Sequence, residues 1–164
     1  MRGKAGRRIV VGLGNSNRGD DAAGRIVARL LRDAPPEGFE IIEKDGEAAA
    51  LLAELDGAAA AYVIDACASG AAPGAVSRFD AAAGPLPSKT FALSSHGLGL
   101  TEAIELARAL GQLPPICVVY AIEGGCFETG APLSPLVAAA VVTVAERLRA
   151  EIAARVETEE ARHA

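Results

Sequence analysis

Short apolar runs that stop at a glycine or an acid alternate along this chain with stretches whose apolar residues recur at helical spacing. That alternation restricts the fold to the α/β class, with a mostly parallel sheet. Arg8 to Leu13 is a β-branched run followed by Gly14, and Asp20 to Arg32 then carries Ile26, Val27, Leu30 and Leu31 on a helical repeat. Phe39 to Glu43 predicts a second strand and Glu47 to Leu55 a second helix, with Leu51, Leu52 and Leu55 on one face. Ala60 to Ile64 is apolar throughout, which assigns this third strand to the centre of the sheet. Ala75 to Phe79 alternates like a half-exposed strand. The turn from Ser69 to Gly74 is too short for a helical crossover, so this strand is expected to run antiparallel beside the third. Ala81 to Lys89 has the composition of a loop, and Gly99 to Leu110 predicts a helix stopped by Gly111. Ile116 to Ile122 is the last strand, and Gly124 to Pro132 is a further loop. The longest helix should run from Ser134 to about Ile152, with Ser134 as its cap and Pro135 at its first position. The expectation is a three-layer α/β/α fold: a mostly parallel twisted sheet of about five strands, one of them antiparallel, with helices on both faces.

The 164 residues fit one compact domain, expected over residues 1–155, with a charged, disordered tail over residues 156–164. Aromatic residues make up only 4% of the chain, so the core must be built from small and branched aliphatic side chains. The net charge of −5 argues against a nucleic-acid partner, whose phosphates would require clustered Lys and Arg. Arg2, Lys4, Arg7 and Arg8 are the one basic cluster, and they read as a solvated extension running into a buried strand. No 18-residue apolar run and no leader pattern occurs, so a soluble, cytoplasmic monomer without a membrane partner is expected. Cys67, Cys117 and Cys126 cannot all pair within one chain and show no CxxC spacing, so neither a disulfide framework nor a thiolate zinc site is implied. Cys117, inside an apolar run, reads as a small core residue.

Three motifs carry chemistry. The first, Val10-Val-Gly-Leu-Gly-Asn-Ser-Asn-Arg-Gly-Asp-Asp21, starts like a dinucleotide fingerprint but has Asn17 where the third glycine belongs. Its Asp20 and Asp21 stand at a helix start, where one carboxylate can cap free N–H groups and the other project elsewhere. The second is Asp65, a carboxylate ending an apolar strand, which is costly to desolvate unless it is paired or coordinated. The third is Ser94-Ser-His96-Gly-Leu-Gly-Leu100, where the flanking glycines suit close backbone approach and an exposed ring. Strand ends of an open α/β sheet converge on one crevice, so Asp21, Asp65 and His96 can meet there and hold a divalent metal with positions left open. A Ser-His-Asp site from Ser94 or Ser95, His96 and Asp65 is disfavoured because adjacent Ser and His side chains rarely bond, and no G-x-S-x-G elbow exists. A Cys-His pair using Cys67 or Cys126 stays open, whereas an HExxH helix is absent.

These segments together resemble the nickel-iron hydrogenase maturation proteases. The likeness runs from Ile9 to about Leu148 through Gly-Leu-Gly-Asn at 12–15, Asp-Asp-x-x-Gly at 20–24, Asp65 and Ser-His-Gly-Leu-Gly-Leu at 95–100. The resemblance implies an endopeptidase that removes a C-terminal extension from the hydrogenase large-subunit precursor. It implies that Asp21, Asp65 and His96 are catalytic and contact nickel carried by that precursor, a role another divalent cation can fill. It also implies a substrate cleft lined by Asn15, Asp45, Gly46 and Glu123. One departure stands out: the family often has Asp-Gly-Gly-Thr after the second strand, and here Asp45-Gly46-Glu47-Ala48 puts a carboxylate at the third place. Two other readings stay open. One is a nickel-dependent chaperone that docks on the precursor without cutting it; the other is a peptidyl-tRNA hydrolase-like esterase, which also opens on Val-Gly-Leu-Gly-Asn.

Overall fold

The structure, a computed structural model, describes residues 6–87 and 99–164. Among these, β1 spans Arg7–Leu13, α1 Ala23–Arg32, β2 Phe39–Lys44, α2 Ala48–Leu55 and β3 Ala58–Cys67. They are followed by β4 at Val76–Asp80, α3 at Leu100–Ala109, β5 at Ile116–Glu123 and α4 at Pro135–His163, and a short 3-10 turn over Gly19–Ala22 precedes α1. The strands form one sheet in the order β2-β1-β3-β5-β4, parallel except for the antiparallel β4–β5 pair.

Alternation along the strands sorts the core into two clusters, one on each face of the sheet. Ile9, Val11, Leu13, Ala61, Val63, Cys117 and Val119 pack against Leu51 and Leu55 of α2 and Ile104 and Ala107 of α3. Val10, Tyr62, Ile64, Val118, Tyr120 and Ile122 pack against Val27 and Leu31 of α1 and Val137, Val144 and Leu148 of α4. The expected three-layer α/β/α arrangement is therefore the observed one, with β3 at its centre.

Three elements differ from the sequence reading. First, β4 is antiparallel, but its neighbour is β5 rather than β3: Val76 pairs with Ile122 and Asp80 with Val118. β5 takes the lane beside β3, and the turn after β3 carries the chain across the two lanes, about 10 Å, to the sheet edge. Second, β3 runs three residues past Ile64, so Asp65 lies within the strand and pairs with Ala121. Third, α4 continues beyond Arg155 to His163, where a disordered tail was expected. Its last turns, Glu157 to Arg162, consist almost wholly of strong helix formers. Val156 still touches the core, and Glu159 Oε2 holds Arg8 Nη2 at 3.1 Å. Arg7 and Arg8, expected in a solvated extension, open β1, and Arg7 is paired with Glu40 and Glu54. Among the described residues no helix is long and apolar enough to cross a membrane.

β1 leaves towards β2 on one side while β3 leads to the other side of the sheet. Divergence of this kind opens a crevice at the carboxyl ends of the two strands. The pairing of β1 with β3 stops at Gly12–Ile64, so beyond that point β3 is left without its β1 neighbour.

Candidate functional site

Four charged side chains are buried among the described residues, and all are carboxylates: Asp20, Asp21, Asp65 and Glu123. All stand at the carboxyl ends of β1, β3 and β5 or on the turn that follows β1. Burying a carboxylate costs several kcal/mol unless hydrogen bonds or charge compensate, so each needs an explanation.

Two of them are fully compensated. Asp20 Oδ2 accepts from Gly125 N (2.7 Å), Cys126 N (2.9 Å) and Ser134 Oγ (2.7 Å), and its Oδ1 accepts from Ser134 N at 2.7 Å. Burial raises the Asp20 pKa, but the Ser134 hydroxyl and the three backbone N–H groups outweigh it and hold the carboxyl below its usual range. Asp20 thus fastens a distant loop and does not cap its own helix, which has no side-chain cap. Ser134 occupies the N-cap position of α4 as expected, yet its hydroxyl serves Asp20 and makes no capping bond. Glu123 is held in the same way. Its Oε1 accepts from Ser69 N (2.8 Å) and Gly70 N (3.0 Å), and its Oε2 from Ser69 Oγ (2.7 Å) and Cys67 Sγ (3.1 Å).

Asp65 is different. Its Oδ1 is buried with no hydrogen-bond partner among the described residues. Burial, and then the charge of Asp21, push its carboxyl up to about 8, against a smaller lowering by the Ala66 backbone. At neutral pH Asp65 therefore holds a proton. By strand alternation Asp65 shares the α2 and α3 face with Val63 and Cys67. Asp21 comes from the 3-10 turn, where its Oδ2 accepts from Asn15 N at 3.0 Å.

Glycines let the turn press against the strand ends. A Cβ on Gly24 would lie 2.3 Å from the Ile64 carbonyl oxygen and 2.5 Å from that of Leu13. A Cβ on Gly14 (φ +136°) would lie 1.8 Å from the Asp21 carbonyl oxygen. These two positions explain Gly14 of Gly-Leu-Gly-Asn and the last residue of Asp-Asp-x-x-Gly: any side chain would drive Asp21 away from the crevice.

Of the residues singled out from the sequence, Asp21 and Asp65 face each other closely enough to interact electrostatically. His96, together with Ser94 and Ser95, lies outside the described residues. Asn15 is exposed at the rim, its Oδ1 accepting from Asn17 N at 2.9 Å. Asp45 is exposed, Gly46 buried and Glu47 exposed; Asp45 Oδ1 accepts from Glu47 N at 3.2 Å in an Asx turn at the end of β2. The Gly14 N–H donates to the Lys44 carbonyl oxygen (3.1 Å), which ties that turn to the same end of the sheet. Glu123, expected in a substrate cleft, spends its oxygens on the loop after β3. The Cys67 thiol donates to Glu123, and burial followed by that bond pushes its pKa well above the ordinary thiol value, so it is no nucleophile at neutral pH. Cys117 is buried, its pKa pushed up to about 12 by burial. The donor roles of Ser69 and Ser134 left no trace in the sequence, since a serine 114 positions from its acceptor carries no local signal.

Chemically, the crevice offers one carboxylate and one neutral carboxyl with an oxygen that no described residue uses, a set that suits a borderline or hard cation. Among the described residues no three His, Cys, Asp or Glu side chains gather as a complete ligand set. A cavity of about 660 Å3 lies at the opposite end of the sheet, between Pro35, Pro36 and α4, far from these acids.

Comparison with known proteins points in one direction. The family model described as hydrogenase maturation protease matches residues 25–151. The hydrogenase maturating endopeptidase HybD from Escherichia coli shares the fold with a TM-score of 0.74 at 24% identity, over 91% of this chain and 93% of that one. The [NiFe] hydrogenase maturation protease HycI from Thermococcus kodakarensis is 27% identical, with a TM-score of 0.65 over 89% of this chain and 92% of that one. A structure of the hydrogenase 3 maturation protease matches with a TM-score of 0.67 at 21% identity, covering 90% and 92%. No curated protein matches.

Proposed function

The chain belongs to the hydrogenase maturation protease family and is a protease, and we propose that it is the endopeptidase that removes the C-terminal extension of a nickel-loaded hydrogenase large-subunit precursor. The observation that carries this reading is Asp65: a buried carboxyl whose Oδ1 has no partner among the described residues, beside a second acid, while the neighbouring buried carboxylates Asp20 and Glu123 are fully hydrogen-bonded. An unsatisfied buried carboxyl beside a second acid, at strand ends that open on a crevice, supports a binding role for the pair.

Nickel enters as part of the substrate, and Asp21, Asp65 and His96 are the residues that would meet it. His96 is supplied four positions before Leu100, the first residue of α3, and α3 packs on the face that Asp65 shares. Nickel supplies Lewis-acid polarisation of the scissile peptide. The protein's part is electrostatic. Asp21 presents its carboxylate with Asn15 N–H on one oxygen, and Asp65 gives up its proton to solvent when a cation replaces it. Uncharged, Asp65 spares the crevice a second buried negative charge. An incoming peptide would run past Asn15, Asp45 and Gly46 at the end of β2, where Glu47 sets the local charge. The resting enzyme on this reading owns no metal and acts on loaded precursors alone.

The test mixes the protein with nickel-loaded and nickel-free precursor and weighs the products by mass spectrometry. Loss of a short C-terminal peptide from the loaded form alone supports the reading. A bound but intact precursor would make the protein a non-cleaving docking module, and equal cleavage of both forms would remove the nickel requirement.

A further inference from the structure

The two carboxylates that the crevice does not use are tied to a single stretch of chain. Residues 123–134 connect β5 to α4 and bond to the segment bearing Asp21 on one side and the segment bearing Asp65 on the other. Towards Asp21, Asp20 N donates to the Cys126 carbonyl (2.8 Å), Gly130 N to that of Asn17 (2.7 Å) and Arg18 Nε to that of Phe127 (3.3 Å), besides the four bonds accepted by Asp20. Towards Asp65, Gly124 N donates to the Cys67 carbonyl (2.9 Å), and Glu123 holds Cys67, Ser69 and Gly70. Asp20 adjoins Asp21, and Cys67 is two residues from Asp65.

We propose that residues 123–134 act as a strap that fixes the spacing of Asp21 and Asp65, with Asp20 and Glu123 as its positioning residues and Ser134 and Ser69 as their hydroxyl partners. The inference rests on the protease reading above and adds to it the element that sets the site's geometry. Fold stability alone needs no such symmetry: two buried acids each accept four hydrogen bonds across the junctions of one strap, Asp20 adjoining Asp21 and bonded to Gly125, Cys126 and Ser134, and Glu123 in the strap bonded to Cys67, which lies two residues from Asp65, and to Ser69 and Gly70. β1 and β3 stop pairing at Gly12–Ile64, and beyond that point β3 is held by β5 as far as Cys67–Glu123, but among the described residues no strand ladder ties the turn that bears Asp21 to β3. The strap does.

Hydroxyl deletions test this gently, because Ser134→Ala leaves Asp20 three N–H donors and Ser69→Ala leaves Glu123 two N–H groups and the Cys67 thiol. The double variant should cleave nickel-loaded precursor with kcat lowered about tenfold or more, since a shift of the order of 1 Å in a catalytic group costs up to about a hundredfold, while KM stays within about twofold. Ser134→Thr alone, which keeps the hydroxyl, should keep native kcat where Ser134→Ala lowers it. Ile152→Val, in the core under α4 near the opposite end of the sheet, serves as a control matched in thermal midpoint and should keep native kcat. Native-like kcat in the double variant, or an equal loss in the Ile152→Val control, would overturn the strap while leaving the protease reading intact. A native protein that leaves the loaded precursor uncut would instead defeat the protease reading, and the strap's catalytic meaning with it.

Discussion

Asp65 concentrates the cost of this site in one side chain. Its carboxyl is pushed up to about 8 by burial and then by Asp21, whereas its value in the unfolded chain is near 3.8. The folded protein therefore binds a proton that the unfolded chain has released across the interval between those values, and stability falls as pH rises from about 4 to about 8. Below about 4 both states are protonated and the group contributes nothing. Asp65→Asn removes this penalty, so the variant should melt above the native protein at pH 7, by on the order of 1–3 kcal/mol, with the difference vanishing near pH 4. Thermal melts across that range check it; a variant less stable at pH 7 would mean that the carboxyl is compensated after all. Asp20 behaves oppositely. Its depressed pKa contributes stability above the unfolded value of 3.8 that is lost as pH falls through the folded value.

At the scale of elements, the decisive contact is that of α1 with the ends of β1 and β3. Gly24 lets the first turn of α1 sit against the Ile64 and Leu13 carbonyls. In Gly24→Ala the methyl group meets backbone atoms that cannot rotate away, so the helix must lift off the sheet. The gain in helix propensity, about 1 kcal/mol, does not offset that displacement. Chemical denaturation should show a net loss of about 2–4 kcal/mol, and cleavage should fall with it because Asp21 rides on the same turn. An alanine variant as stable as the native protein would show that the gap has more give than its contacts indicate. The same region shows how sequence and packing divide the explanation. The alternation of strand and helix signals, the termini of most elements and the helix-start glycine were legible in the residues themselves, because strand and helix periodicities are local properties. The partner of β4 was not, since a short turn limits direction but does not say which lane is free. Nor was the fate of the last helical turns, which depends on Val156 reaching the core and Glu159 reaching Arg8.

For the whole molecule, the consequence is a pH-dependent encounter with substrate. On the proposed reading, nickel borne by the precursor competes with the proton on Asp65, so apparent affinity for the loaded precursor should rise with pH, by up to about tenfold per unit, and level off near pH 8. Nickel-free precursor should show no such slope. Binding measured by fluorescence anisotropy from pH 6 to 9 checks this, and a flat profile for loaded precursor would disconnect Asp65 from recognition. The net charge of −5 also favours a partner carrying an accessible cation over one that presents phosphates.

The residues alone determined the layered α/β class, the apolar strand that became the centre of the sheet, and the identity of the acids worth attention. Asp20, Asp21 and Asp65 stood out as acids at a helix start or a strand end, and Glu123 entered through the family likeness. Only the tertiary structure separated them by duty, because whether a buried carboxylate is a fastening or a binding group depends on who donates to it. Those donors, Ser134 for Asp20 and Ser69 for Glu123, lie 114 and 54 residues away. Hydrogen bonds across such separations are created by the packing of the sheet and leave no periodic mark in the chain.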